Sequence, residues 1–410
     1  MTEPRASAAD AAAALDDAIV DPTVPRPHPW LTWGAVLSGA LSLLFISTDL
    51  GPRAFFLGVV LAVVPVPVYL ALALWLDRFE PEPPAALAQT FAWGATVAVL
   101  VSLCLNTYTE STLAQLFGPR AAELGGRIVS APLVEELSKG VALVVLFRTL
   151  RDEYDDVLDG VVYAAMVGLG FAMMENVQYY GAAVEEGGNS SVLTFAIRGM
   201  MAPFAHPLFT AMFGVGLGYA RERGEPARRF WAPPAGFAAA VGLHALWNWA
   251  AGYDDTWFVA LYALVMFPAF VGLLVIVYLS LVREGRIIRE HLGGLVASGT
   301  ITGDELERLC VVRSRLRASY AAWRTGGLLQ WRARRELHRI ASELAFHRWR
   351  VQRGLTLGPD GDAHREAAYL RRLESLCRAE AGHSGDPRIR GSHADGRGAV
   401  DPEGGYSEGG

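Results

Sequence analysis

The sequence predicts an all-α fold, a polytopic membrane helix bundle of about eight transmembrane helices with a cytoplasmic helical tail. Three observations carry this prediction. Of 410 residues, 52% are hydrophobic and 19% charged, below the ~25% charge of ordinary soluble domains, and the mean hydropathy is +0.26. The apolar residues concentrate in long runs between residues 30 and 282, whereas both ends are polar. Each run approaches the ~20 residues needed to cross a ~30 Å hydrocarbon core. A net charge of -6 without a broad basic surface argues against nucleic acid as a partner. Cys104, Cys310 and Cys377 form no CxxC pair, which removes a disulfide framework and a zinc-finger spacing.

Eight runs are long enough to span: 30–49, 54–76, 86–107, 128–147, 158–182, 193–220, 233–252 and 257–282. The stretch before them, with Arg5, Asp10, Asp16 and Pro22, has no basic head leading into an apolar core and no small-residue cleavage site, so the first span is expected to be retained. Between spans, DRFEPEPP at 77–84 cannot be helical through its prolines and reads as a short inner loop. RDEYDDVLDG at 151–160 reads as a solvated acidic turn that caps the fifth span. Arginine placement sets orientation. With the N-terminus cytoplasmic, the inner loops hold Arg78, Arg148, Arg151, Arg221, Arg223, Arg228, Arg229, Arg283, Arg286 and Arg289. The outer loops then hold only Arg53, Arg120 and Arg127, with Arg198 near an outer helix end. Both termini are therefore expected in the cytoplasm of a multi-pass cell (inner) membrane protein.

Past residue 282 the chain is rich in arginine. Leu328, Leu329, Trp331, Leu337, Ile340, Leu344 and Phe346 recur at helical spacing, the pattern of amphipathic helices that pack together or lie on an anionic leaflet. Residues 380–410, rich in Gly, Ser, Asp and Arg, cannot bury a core and are expected to be disordered. The expected organisation is a cytoplasmic tail at 1–29, a transmembrane domain at 30–282, a basic helical region at 283–379 and a disordered tail at 380–410.

Ionisable groups inside a span are costly and mark function by default. The fourth span holds Glu135, Glu136 and Lys139, the last being the only lysine of the chain. Spacings of three and four residues let the lysine pair with both acids. The fifth span holds Phe171, Glu175 and Asn176, the sixth His206, the seventh His244 and Asn248. At 1.5 Å per residue, Glu135 and Glu175 lie ~10 Å below the outer surface and the histidines ~12–15 Å. Four antiparallel helices thus carry their polar groups in one layer of the outer half. Singly, each has a bland reading: an ion pair as packing glue, a histidine bonded to a backbone carbonyl, an asparagine bridging helices. A shared layer is what one site requires.

Two carboxylates, two histidines and an amide suit peptide hydrolysis, which needs an activated water, a proton donor and an oxyanion stabiliser. Two routes stay open. In one, His206, His244 and Glu175 hold Zn²⁺ while Glu135 takes the proton of water. In the other, two glutamates activate water without metal, and His244 with Asn248 receives the oxyanion. No HExxH is present to favour zinc.

EELSK at 135–139, FAMME at 171–175, His206 and HALWN at 244–248 resemble the four motifs of PrsW-type intramembrane proteases, in the superfamily of CAAX-processing and bacteriocin-processing membrane endopeptidases. DRFEPEPP and the VLDGVVYAAMVGLGF run also resemble that family, over roughly residues 66–282. The resemblance implies an integral membrane endopeptidase, commonly described as a metalloprotease, that cleaves a single-span membrane-anchored protein such as an anti-sigma factor. It makes Glu135 and Glu136 the paired acids, Lys139 the motif lysine, Glu175 the second acid, His206 the third motif, and His244 with Asn248 the fourth. Two other classes compete. One is a non-proteolytic scaffold; the other is an ion-coupled transporter, against which the absence of visible repeats counts.

The topology is open to a direct check. Reporter fusions should read cytoplasmic after Phe230 and extracytoplasmic after Asp254; opposite readings would move the polar layer to the inner half.

Overall fold

The computed structural model describes residues 29–76, 78–150, 154–222, 226–354 and 358–384. The expected N-terminal tail up to residue 28 and the stretch from 385 onward lie outside the described residues, as do Arg151 and Arg223 of the expected inner loops. Every regular element among the described residues is helical. They form two compact units, one up to Val282 and one from Arg283.

The first unit holds α1 (Pro29–Thr48), α2 (Pro52–Val63), α3 (Val66–Leu76), α4 (Pro84–Trp93), α5 (Val99–Phe117), α6 (Pro119–Gly125) and α7 (Ala131–Thr149). After these come α8 (Val157–Glu186), α9 (Ser190–Phe195), α10 (Ala205–Glu222), α11 (Pro226–Ala251), α12 (Asp255–Leu261) and the start of α13 (Phe267–Ala297). π-helical turns at Gly94–Ala98, Gly126–Ser130 and Tyr262–Met266 join α4 to α5, α6 to α7 and α12 to α13, and another, Ala196–Met201, follows α9.

Five segments among the described residues are long and apolar enough to cross a membrane: Pro52–Leu76, Pro84–Phe117, Val157–Glu186, Ser190–Glu222 and Thr256–Ala297. The expected eight are not all reproduced by that measure. Thr32–Thr48 is apolar but shorter, while α7 and α11 are helices that carry Glu135, Glu136 and Lys139, or His244 and Asn248. Of the four helices that bear the polar layer, α7 and α11 fall short by that measure, while the segments holding α8 and α10 meet it.

Helix α8 is the axis of this unit. In its apolar stretch 83% of the residues are buried within the protein, against 17% in Pro52–Leu76 and in Thr256–Ala297. It packs against α2, α3, α4, α9 and α10. Its start is set by a capping box: the Asp156 carboxylate accepts from the amides of Leu158 (2.6 Å) and Asp159 (3.2 Å). The Asp159 carboxylate returns to the amides of Asp155 and Asp156, both at 2.9 Å. The acidic turn is thus a cap, as expected, but Asp155 and Asp156 are buried rather than solvated. Ahead of it, 78–83 is non-helical and α4 begins at Pro84, where a missing N–H costs nothing. Buried Glu82 of that loop accepts from the Tyr163 hydroxyl at 2.6 Å.

Without water to drive association, membrane helices meet through small residues. Helices α8 and α10 cross where Gly160 faces Gly214, and a Cβ on either would strike the other's carbonyl. A Cβ at Gly168 would fall 2.9 Å from the carbonyl carbon of His206, so the glycine lets a site histidine's backbone lie directly against α8.

The second unit contains the end of α13, then α14 (Gly303–Cys310), α15 (Val312–Gln352) and α16 (Pro359–Ser384). Its core draws Ile288 and Leu292 from α13, Leu337, Ile340 and Leu344 from α15, and Leu373 from α16. Of the apolar stripe read in the sequence, Leu337, Ile340, Leu344 and Phe346 are buried, while Leu328 and Leu329 are exposed.

Gly214→Val should overpack the α8–α10 crossing and cost about 2–3 kcal/mol, read as a lowered thermal midpoint of the purified protein in detergent. Gly242→Ala, where an added methyl meets nothing within 4 Å, should leave the midpoint unchanged or slightly raised.

Candidate active site

Three ionisable residues of α7, Glu135, Glu136 and Lys139, project into one buried cluster. Lys139 is fully buried, and Glu136 is 1% exposed. The Lys139 ammonium donates to Glu136 Oε1 at 2.8 Å and to His206 Nδ1 at 3.0 Å, and lies 4.0 Å from the centre of the Phe171 ring. Glu136 is saturated, because its Oε1 also accepts from His244 Nδ1 at 3.0 Å and its Oε2 from the Thr210 hydroxyl at 2.9 Å. Thr210 stands one turn after His206 on α10, which explains why the two reach the same group.

These bonds orient both imidazoles. Next to an ammonium, His206 Nδ1 accepts, so Nε2 carries the proton and donates to Glu175 Oε2 at 2.8 Å. His244 gives its Nδ1 proton to Glu136, which leaves Nε2 as an acceptor facing Glu135 Oε2 at 3.7 Å. Among the described residues, this Glu135 oxygen is buried and has no hydrogen-bond partner; Lys139 Nζ is 3.9 Å from it. The other oxygen of Glu135 accepts only a long bond, 3.5 Å, from the Asn106 amide. Two acceptors that face each other in a buried place need a proton, a water or a cation between them.

The cluster has apolar walls. Phe209 stacks on His244 (4.9 Å, 22°), and Phe171 lies 5.3 Å from the His206 ring. Asn176, Arg198, His206 and Trp247 line a neighbouring cavity of about 20 Å³, room for one water.

The residues singled out from sequence fall as follows. Glu135, Glu136, Lys139, His206 and His244 meet directly, and Glu175 joins through His206. Glu175 was the expected third metal ligand beside the two histidines. Its Oε2 is held instead by the Arg198 guanidinium at 2.5 Å and by His206, while Glu135, His206 and His244 bring one ligand atom each to within 4.8 Å of one another. Asn248, expected beside His244 at an oxyanion, donates to the backbone carbonyl of Arg127 at 3.1 Å, tying α11 to the π-helical turn in front of Glu135.

Sequence reading missed Arg198, Thr210 and Asn106. Arg198 counted there only as a charge near an outer helix end. It sits in the π-helical turn after α9, a deformation frequent at functional sites. There it donates to Glu175 and, at 2.7 Å, to Asn176, and stacks 3.6 Å over Tyr179. An arginine inside an apolar run of the sixth span was the available signal.

Arg198 and Glu175 should therefore be energetically coupled. A double-mutant cycle of Arg198→Gln and Glu175→Gln, scored by thermal unfolding, should give a coupling of about 1–3 kcal/mol. Additive losses would show that the pair does not hold Glu175.

Residues 82–273 match the profile described as PrsW family intramembrane metalloprotease. Protease PrsW of Geobacillus kaustophilus (strain HTA426) is 29% identical over 182 residues, 44% of this chain and 73% of the relative. Protease PrsW of Clostridioides difficile (strain 630) is 27% identical over 41% of this chain and 68% of its own length. Protease PrsW of Bacillus subtilis (strain 168) is 28% identical over 38% and 65%. No solved structure matches. The matched region contains all four polar motifs and the helices that assemble them, and over it this chain is similar to the PrsW-type intramembrane proteases.

Proposed function

We propose that this protein is an intramembrane protease that cleaves a single-span, membrane-anchored protein, of which an anti-sigma factor is one candidate, through a water activated at Glu135. The observation that carries this reading is the buried, unpartnered Glu135 Oε2 facing the acceptor nitrogen of His244 at 3.7 Å. A buried carboxylate oxygen left without a hydrogen-bond donor is available to take a proton. Glu136, bound by lysine, threonine and histidine at once, is not.

On this reading water attacks the scissile carbonyl carbon while its proton passes to Glu135. The proton then reaches the leaving nitrogen as the C–N bond breaks. Glu136 and Lys139 hold the frame: Glu136 fixes the tautomer of His244, and Lys139 offsets the paired acids. Glu175 steers His206 and is itself held by Arg198. Asn248 acts as a positioning residue, through Arg127, for the helix that carries Glu135. With both termini cytoplasmic, this layer lies in the outer half of the bilayer, where a substrate entering from lipid meets it.

The donor set also fits a metal. Glu135, His206 and His244 form a His₂Glu group of the kind zinc enzymes use, and the unpartnered carboxylate oxygen supplies a free ligand. When bound, Zn²⁺ would polarise the carbonyl and make water nucleophilic at neutral pH. Glu136 behind His244 is the second carboxylate that such ligands commonly have. Both nitrogens of His206 have partners, so its use as a ligand exchanges one of them. That double engagement is the specific observation favouring a metal-free glutamate route as the second reading.

Glu135→Gln preserves shape but cannot accept the proton, so release of cleavage fragments from co-expressed single-span proteins should fall by at least ~10²-fold, with insertion intact. Near wild-type cleavage by both Glu135→Gln and Glu175→Gln would remove the protease role from this cluster. Metal analysis of the purified protein separates the two routes. Bound zinc that is lost in His244→Ala supports the His₂Glu group, and metal-free protein that cleaves normally in chelator supports the glutamate route.

A further inference from the structure

Helix α15 folds back on itself. Gly326 and Gly327 leave helical geometry, Gly327 at φ 65° and ψ -152°, a region open mainly to glycine. Arg315 Nη2 nevertheless donates to Ser342 Oγ at 2.7 Å, across 27 positions of sequence. In a continuous helix those residues would stand about 40 Å apart. Residues 312–325 and 328–352 are therefore the two arms of a helical hairpin with its tip at the glycine pair.

The arms differ sharply between base and tip. At the base, Leu337, Ile340 and Leu344 are buried, and so are Arg315 and Arg334, the latter paired with Glu305. Toward the tip Tyr320 is 58% exposed, Trp323 53%, Leu328 53% and Leu329 79%. Charge is segregated in the same way. Eight arginines and no carboxylate lie between Glu307 and Glu336. Six of them are exposed; Arg308 pairs with Glu305, and the other five, Arg313, Arg317, Arg324, Arg332 and Arg335, make no ion pair among the described residues. Arg313, Arg317, Tyr320 and Arg324 recur at spacings of four, three and four, which places them on one helix face.

A basic rim alone would suit any polyanion, and an exposed apolar tip alone would suit many surfaces. Together they suit an anionic bilayer: leucine in the acyl boundary, tryptophan and tyrosine at headgroup level, arginine on phosphate. Nucleic acid would use the arginines and leave Leu328 and Leu329 in water. Chain continuity supports the same partner, because α13 runs without a break from the last apolar span past Arg283. We propose that the hairpin tip, residues 320–332, docks on an anionic phospholipid surface of the bilayer that holds the protein, as a lipid-binding site distinct from the Glu135 cluster.

The full chain, reconstituted in phosphatidylcholine alone or in an equal mixture with phosphatidylglycerol, tests this. A nitroxide at Leu329→Cys, with the three native cysteines replaced by serine, should be shielded from aqueous nickel chelate and open to oxygen in the anionic membrane. Arg324→Glu with Arg332→Glu should lower the docked-to-free ratio by at least about ten-fold. Hydrogen exchange of 318–332 in the unmodified chain should slow in the anionic membrane alone, which checks the result without cysteine replacement. Equal water exposure in both lipids would overturn the proposal. Equal shielding in a neutral detergent, or shielding only when RNA is added, would also overturn it, in favour of self-packing or a nucleic-acid partner.

Discussion

One buried ammonium organises the membrane unit. Lys139 on α7 bonds Glu136 on its own helix and His206 on α10, and rests on the Phe171 ring of α8. Through Glu136 the same charge reaches His244 on α11. In an apolar enclosure, neither the lysine nor the glutamates would be tolerable alone, since breaking a buried pair strands an uncompensated charge. Their mutual satisfaction fixes where four helices must meet. The price of that arrangement is that every member depends on the others, and among the described residues one buried oxygen of Glu135 is left without a hydrogen-bond partner.

Packing around the cluster follows from this demand for close approach. The glycines at the α8–α10 crossing bring backbones together where larger side chains would hold the histidine away. π-helical turns lie before α7 and after α9, on the segments that present Glu135 and Arg198. Such turns add a residue to the helical repeat and so redirect the side chains that follow. The Asn248 bond to the Arg127 carbonyl braces one of these turns, which makes the amide part of the support of Glu135 rather than of its chemistry.

The region from Arg283 obeys a different economy. Its core is built from ordinary amphipathic helices, and two of its buried charges, Arg315 and Arg334, are satisfied by a carbonyl, a hydroxyl and carboxylates. The glycine pair that reverses α15 divides one apolar stripe between two environments, a packed base and an exposed tip.

Much was legible from sequence, for identifiable reasons. A hydrophobic run near bilayer length announces itself without tertiary context, and ionisable residues within such runs are rare enough to be read as a site. The helical class, the polar layer, the Glu–Glu–Lys spacing and the resemblance to PrsW-type proteases all came from these signals. The span count was less legible, because the polar groups of the site dilute the hydropathy of two of the helices that carry it, α7 and α11. Depth along a helix can be counted from sequence, but rotation about its axis and the choice of neighbour cannot. Only the tertiary structure therefore decided that Glu135, not Glu175, faces His244, that Arg198 claims Glu175, and that Asn248 turns to a backbone carbonyl. The same limit hid the fold-back at Gly326–Gly327. A left-handed glycine reverses a helix only when the returning arm finds a partner, and Ser342 meeting Arg315 is a fact of packing across 27 positions.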